Sequence, residues 1–226
     1  MIAPCRVSFV IPMLNEGPAI AGVLRDLERN HPDAERIVVD GGSTDDSVVQ
    51  AMPLCDQLLI GDPGRARQMN LGARAASGDY LFFLHADSRP SIGGKELDSR
   101  LGSTPDWGFC HVRLSGKGAL FRVIEWSINR RSQWTSIATG DQMLFVRRTL
   151  FLQLGGYQDI PLMEDVALSK QLRALASPVV VPEPVTTSSR RWEEGGTLRT
   201  IVLMWVLRLA YACGISPARL WRRYHG

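Results

Sequence analysis

Short apolar runs alternate with helical stripes through the first half of the chain. Arg6 to Ile11 is apolar and rich in β-branched residues, which predicts a buried strand. Ile20, Val23, Leu24 and Leu27 follow at helical spacing and form one apolar stripe. Glu35 to Val39 predicts a second strand, stopped by Asp40-Gly41-Gly42. Ser43 or Thr44 can cap a short helix after it, with Asp45 and Asp46 in the first turn, where negative charge suits the helix dipole. Asp56 to Ile60 predicts a third strand and Arg65 to Ala76 a helix closed by Ser77-Gly78. Tyr80 to Leu84 predicts a fourth strand, stopped by His85-Ala86-Asp87.

The second half is less regular. Trp107 to Leu114 predicts a strand, Leu120 to Trp134 a helix, and Gln142 to Val146 a strand. Thr149 to Leu154 reads as a short helix closed by Gly155-Gly156, and Asp165 to Leu175 as an amphipathic helix. Val179 to Val181 predicts a last core strand, fenced by prolines 178, 182 and 184. Strand-helix alternation with short connections implies βαβ units and an α/β domain with a mainly parallel, Rossmann-like sheet flanked by helices. Ligands of such sheets bind outside the carboxyl ends of the strands. Asn15 and Glu16 follow the first run, Asp40 the second, and His85 and Asp87 the fourth, so the polar groups gather where a ligand would sit.

The chain has 226 residues, enough for one substantial domain. A hydrophobic share of 45% and a charged share of 22% fit a globular protein. The net charge of +3 calls for no nucleic acid but suits small anions such as sugar nucleotides. Cys5, Cys55, Cys110 and Cys213 form no Cys-x-x-Cys pair, so the expectation is buried free thiols in a reducing cytoplasm. Pro4 and Cys5-Arg6 interrupt any early apolar run, so no signal peptide is expected. Ile201 to Ile215 is apolar but contains Arg208, and it is shorter than the roughly 18 to 20 residues that span a bilayer.

Four constellations carry candidate chemistry. A carboxylate at Asp40 can accept hydrogen bonds from a base or ribose, with Gly42 letting a ligand approach the backbone; a turn with no ligand explains the same residues. His85-Ala86-Asp87 places an imidazole and a carboxylate two apart at a strand end, where they can hold a divalent cation or simply close the strand. Glu164-Asp165 can supply a general base or complement a helix dipole. Arg190-Arg191-Trp192 suits a phosphate clamp with a stacking wall, or a solvated basic loop.

The order of these pieces resembles the family 2 glycosyltransferases, which have the glycosyltransferase-A fold. The likeness runs from about Arg6 to Trp192. Val10 to Glu16, with Pro12, Asn15 and Glu16, is similar to that family's opening strand and Pro-x-x-Asn-Glu turn. Val38 to Asp45 is similar to its second-strand motif, which implies that Asp40 binds the nucleotide base. Gly64 to Gly72, with Arg67 and Asn70, resembles the helix beneath the donor. Leu84-His85-Ala86-Asp87 stands where the family carries Asp-x-Asp, which implies Asp87 as metal ligand, with His85 in place of the first acid. Gly140-Asp141-Gln142 resembles the segment lining donor sugar and acceptor, and Met163-Glu164-Asp165 the pair whose second member is the base. Arg190-Arg191-Trp192 is loosely similar to the basic-aromatic motif of processive members. Arg65 to Gly72 and Leu84 to Asp87 also resemble a bacterial subgroup linked to arsenosugar or related small-molecule biosynthesis.

The resemblance implies an inverting transferase that moves a sugar from a nucleotide diphosphate sugar, expected to be uridine-linked, to a hydroxyl acceptor, with Mn²⁺ or Mg²⁺. A sugar-phosphate nucleotidyltransferase would need a Gly-rich basic loop after the first strand, where Pro12 to Glu16 stands instead. A non-catalytic sugar-nucleotide binding module would have no use for Asp165 as a base. Residues 1–195 are expected to form the catalytic domain and residues 196–226 a C-terminal amphipathic helical extension. Ile201, Val202, Trp205, Leu209 and Ala212 fit one helical face of that extension, and Arg219, Arg222 and Arg223 follow. Through residues 198–223 it can pack on the domain, form a homodimer contact, or touch a membrane surface, which places the chain in the cytoplasm or peripherally on the inner face of the membrane.

Overall fold

Alternate residues of the first strand, β1 (Val7–Met13), face two different cores. Val7, Phe9, Ile11 and Met13 pack on helix α1 (Gly17–Asn30) through Ile20, Val23, Leu24 and Leu27. Val10 points the other way, toward Ala66, Met69 and Ala73 of α3 (Arg65–Ala75). A strand covered on both faces is mostly apolar throughout, which is why Arg6 to Ile11 reads as a near-continuous run; the buried Ser8 within it is satisfied by Glu35 and the Gly78 N–H. A computed structural model describes residues 5–225, the side chains of Arg191, Glu194 and His225 excepted.

Eight strands form one mixed sheet in the order β3-β2-β1-β4-β7-β6-β8-β5. β2 (Glu35–Asp40) and β4 (Tyr80–Phe83) flank β1 in parallel, and β3 (Gln57–Ile60) lies parallel outside β2. β7 (Phe145–Arg147) runs antiparallel between β4 and β6 (Trp107–Leu114). β8 (Val179–Thr187) pairs parallel with β6, and β5 (Arg89–Pro90) antiparallel with β8. Phe9, Phe82 and Phe145 cross the first core with ring centroids 5.5 and 4.9 Å apart. Burying each contributes about 1.5–3 kcal/mol.

Several expectations are corrected. The short helix α2 (Ser47–Ala51) starts later than a cap at Ser43 or Thr44 would place it, because both residues are tied to the preceding loop. Residues 142–146 are not one strand: a 3-10 turn, Gly140–Gln142, comes first, and Met143 turns the chain with φ +43° before β7. β8 runs through Pro182 and Pro184 instead of stopping at Val181. A register shift opposite Cys110 and Val112 leaves both prolines outside the pairing with β6, where a missing N–H costs nothing. β5 and α4 (Gly94–Leu101) were not foreseen. The four cysteines are free, but only Cys110 is buried and Cys213 is exposed.

The rest of the chain is helical between and after these strands: α5 (Ala119–Thr135), α6 (Arg148–Gln153), α7 (Glu164–Leu175), α8 (Arg190–Glu194), α9 (Thr197–Ala212) and α10 (Pro217–His225). Leu207 of α9 and Leu220 of α10 pack on Met163 and Val166 at the start of α7, so the last two helices rest on the element that carries Glu164 and Asp165. Among the described residues, no helix is long and apolar enough to cross a membrane.

Candidate active site

The carboxyl ends of β1, β2 and β4 are adjacent, and the loops leaving them are laced together. Asn15 turns the chain with φ +54°. Its N–H donates to the Ser43 hydroxyl at 2.9 Å, and its side-chain oxygen accepts the Thr44 N–H at 2.8 Å. The Glu16 N–H donates to the Ser47 hydroxyl at 2.8 Å. Asp40, 2% exposed, accepts the N–H groups of Gly42 and Ser43 at 2.9 and 3.0 Å and the Ser43 hydroxyl. The turn depends on Gly42, whose φ of +95° a residue with a Cβ rarely adopts. Gln68 fastens this side from below, donating from one amide nitrogen to the carbonyls of Met13 and Val39 at 2.9 and 2.8 Å. Pro12 and Ala86 are buried in the framework, Pro12 beside Val39 in the β1–β2 ladder.

Glu16 joins this rim to the end of the chain. One of its oxygens accepts from Arg190 at 3.2 Å, and the other is buried without a partner. Burial raises the Glu16 pKa above the ordinary carboxylate range, and the charges of Asp87 and Asp45 add to that against the opposing Arg190. Asp87 is half-buried and accepts the adjacent Ser88 hydroxyl at 3.2 Å. Trp192 is half-buried on α8, while the Arg191 side chain lies outside the described residues.

On the other side of β4, His85 lies over the 3-10 turn. Its Nδ1 stands 3.4 Å from a carboxylate oxygen of Asp141. A Cβ at Gly140 would fall 2.6 Å from its Nε2, so the turn approaches the ring as closely as a glycine allows. The Gly140 N–H donates to Asp165 at 2.8 Å, and the turn is closed by reciprocal capping between Thr139 and Gln142. Met163, with φ +69°, sets the chain into α7 so that Glu164 and Asp165 head the helix. A cavity of about 10 Å³ lies between His85, Gly140, Tyr157, Glu164 and Asp165, room for roughly one water.

Burial raises the pKa of both acids. Glu164 is pushed further by the charge of Asp165, with Arg65 opposing. For Asp165, the N–H groups of Gly140 and Val166, together with Arg65, oppose the rise. Arg131 of α5 lies within the field of Asp165 and Asp141. Burial lowers its pKa to about 10 against the pull of Asp165 and Asp141, and its Nε has no partner.

The chain matches the model for glycosyl transferase family 2 over residues 8–94. A Mycobacterium tuberculosis protein described as an uncharacterized glycosyltransferase is 31% identical over 163 residues, covering 67% of this chain. The chain belongs to glycosyl transferase family 2. It spans 60% of that relative's length. A PGL/p-HBAD biosynthesis glycosyltransferase of the same species is 37% identical over 95 residues, 38% of this chain and 37% of that protein.

Solved structures share the fold of this family 2 chain. S. aureus TarS 1-349 in complex with UDP superposes with a TM-score of 0.65 at 16% identity, covering 81% of this chain and 60% of TarS. A mannosyltransferase from Pyrobaculum calidifontis, in complex with GDP-Man and Mn²⁺, gives 0.61 at 20% identity, over 83% of this chain and 57% of that one. Glucosyl-3-phosphoglycerate synthase from Mycobacterium tuberculosis, with Mn²⁺, UDP and phosphoglyceric acid, gives 0.61 at 19% identity, over 94% and 80%. The fold is the glycosyltransferase-A fold.

Asn15, Glu16, Asp40, Gly42, His85, Asp87, Gly140, Asp141, Glu164, Asp165 and Arg190 of this family 2 chain therefore lie along one continuous rim. Two expected donor residues face elsewhere. The Arg67 Nε–H donates to both carboxylate oxygens of Asp159, at 2.9 and 3.0 Å. Asn70 uses its amide on both backbone groups of Tyr157, at 2.8 and 2.9 Å. Both tie down the loop that puts Tyr157 beside Glu164 and Asp165. Arg65, the first residue of α3, is the α3 guanidinium that the two acids feel. Sequence reading missed Arg131 altogether, since nothing but packing separates it from its exposed neighbour Arg130.

His85 and Asp87 leave one turn, His85 against Asp141 and Asp87 near Glu16. Among the described residues, no three His, Cys, Asp or Glu side chains converge on one point. The buried, unpartnered oxygen of Glu16 beside Asp87 nevertheless marks a place short of positive charge. Hard cations in nucleotide sites take one or two carboxylates and complete their shell from phosphates and water.

Proposed function

We propose that this chain transfers a glycosyl group from a nucleotide diphosphate sugar, uridine-linked, to a hydroxyl acceptor by direct displacement with inversion. The observation that carries this reading is the Asp165 carboxylate, half-buried, held by the Gly140 N–H and raised in proton affinity, facing the cavity shared with His85. Asp165 accepts the acceptor proton as the acceptor oxygen bonds to the anomeric carbon. The bond from that carbon to the diphosphate breaks, and the nucleoside diphosphate leaves with the electron pair.

Asp40 and Glu16 serve the nucleotide, with Asn15 and Gly42 shaping their loops. Asp87 and His85 would hold Mn²⁺ or Mg²⁺, which when bound offsets the charge of the departing diphosphate. Arg190, with Arg191 and Trp192 beside it, covers the phosphates from the end of the chain. Gly140, Asp141 and Glu164 line the sugar and acceptor side, where Arg131 adds a buried positive charge. Residues 1–195 carry the chemistry and residues 196–226 form the helical extension. A panel of nucleotide sugars, each tested for thermal stabilisation with Mn²⁺ or Mg²⁺ and then for release of nucleoside diphosphate, tests the reading. A stabilising donor that is turned over supports it. Stabilisation without turnover by any donor and acceptor would leave only the binding-module reading.

A further inference from the structure

We infer that α9 and α10 dock the protein flat on an anionic phospholipid surface. α9 is apolar on two sides at once. Leu203, Leu207 and Ala210 face inward, against Met163 and Val166. Leu198, Val202, Trp205 and Leu209 recur at helical spacing on the outer side, where Trp205 is 69% and Leu209 67% exposed. A helix that is hydrophobic all round is normally buried all round. This one leaves a stripe of four large apolar residues uncovered.

The charge around the stripe names its occupant. From Gly195 to Gly226 there is no Asp or Glu, while Arg199, Arg208, Arg219, Arg222 and Arg223 lie in the same stretch. Arg208 is partly buried, but Arg199, Arg219, Arg222 and Arg223 are exposed, and four such charges with no acid among them would repel a second copy of the same face while complementing anionic headgroups. An apolar groove of about 700 Å³ opens between α9 and α10, lined by Leu198, Val202, Met204 and Val206, with Arg199 and Arg223 also in its wall. Apolar depth beside guanidinium groups suits acyl chains below and phosphates above. Trp221, 41% exposed on α10, adds an interfacial aromatic ring. α5 presents a second outward set of the same character, with Val123, Trp126 and Trp134 exposed and Arg130 over the Trp134 ring at 5.3 Å. No described helix can span a bilayer, so the contact is with the surface.

Flotation of the full chain with two vesicle populations tests this: phosphatidylcholine alone, and phosphatidylcholine with phosphatidylglycerol. Binding is expected to the anionic vesicles, weakened by salt, and not to the neutral ones. Joint substitution of Trp205→Glu and Leu209→Glu should weaken it by at least roughly tenfold, and so should joint Arg219→Gln, Arg222→Gln and Arg223→Gln. All five side chains are exposed, so circular dichroism melts should stay near that of the parent. If the apolar variant melts early, the arginine variant still decides. Equal binding to neutral vesicles, binding to neither, or an apolar face that closes a dimer in solution and does not float would overturn the inference.

Discussion

The carboxylate of Asp165 accepts the backbone N–H of Gly140 at 2.8 Å. This bond joins the head of α7 to the 3-10 turn lying against His85, so the acid is aimed by two elements that are 25 residues apart in sequence. A carboxylate fixed in this way is poised to receive a proton without first reorganising.

Asp165→Asn should therefore abolish turnover while keeping nucleotide binding. The amide has one oxygen where the carboxylate offers two, to the N–H groups of Gly140 and Val166, so one hydrogen bond is lost as a partly buried charge disappears, and the melting temperature is expected to stay near that of the parent. Donor-stabilised thermal melts and steady-state assays measure both. Near-parental turnover would remove Asp165 from the role of base.

The pH profile should show an acid limb above the ordinary carboxylate range. Burial raises the pKa of Glu164 and Asp165; the charge of Asp165 adds to the rise at Glu164, and that of Asp141 to the rise at Asp165. A base works ionised, so kcat/KM should climb as pH rises through the raised value. Stability runs the opposite way: the fold favours the protonated acids, so their contribution declines as pH rises from the unfolded carboxylate range through the folded pKa. An acid limb in the ordinary range would contradict the assignment.

Arg190→Gln should separate binding from folding. The Glu16 pair is more than half exposed on the arginine side, and such pairs contribute at most about 1 kcal/mol. Urea midpoints are expected to stay close to the parent, while the donor KM rises. An unchanged KM would release Arg190 from the phosphates.

Asn70→Ala should act mainly on stability. It leaves the Tyr157 N–H and carbonyl without their amide partner, at about 1–3 kcal/mol by urea denaturation. The loop beside the two acids loosens with it, so kcat should fall as well. A variant with parental stability would mean that the loop is held by other contacts.

The strands of the first half were legible because helices cover the sheet on both sides and every position of β1 is buried, all but Ser8 by apolar residues. The bulged end of β8 and the two-residue β5 were not: each exists through the other, and prolines hide both from any local pattern. Acids after strand ends are legible in the sequence as residues of one sheet edge. What each polar group holds was beyond the sequence. Asn70 meets Tyr157 across 87 positions, and Arg131 differs from Arg130 only in the direction it faces.

Gln68 has a consequence for how such a chain can diversify. By stapling Met13 to Val39 it fixes the ends of β1 and β2 within the first seventy residues. α5, the 3-10 turn and α7 come later in the chain. Under the proposed reading, changes in those later elements can redraw what receives the sugar while the loops around Asp40 keep their shape, so a lineage can acquire new acceptors without rebuilding that part of the donor site.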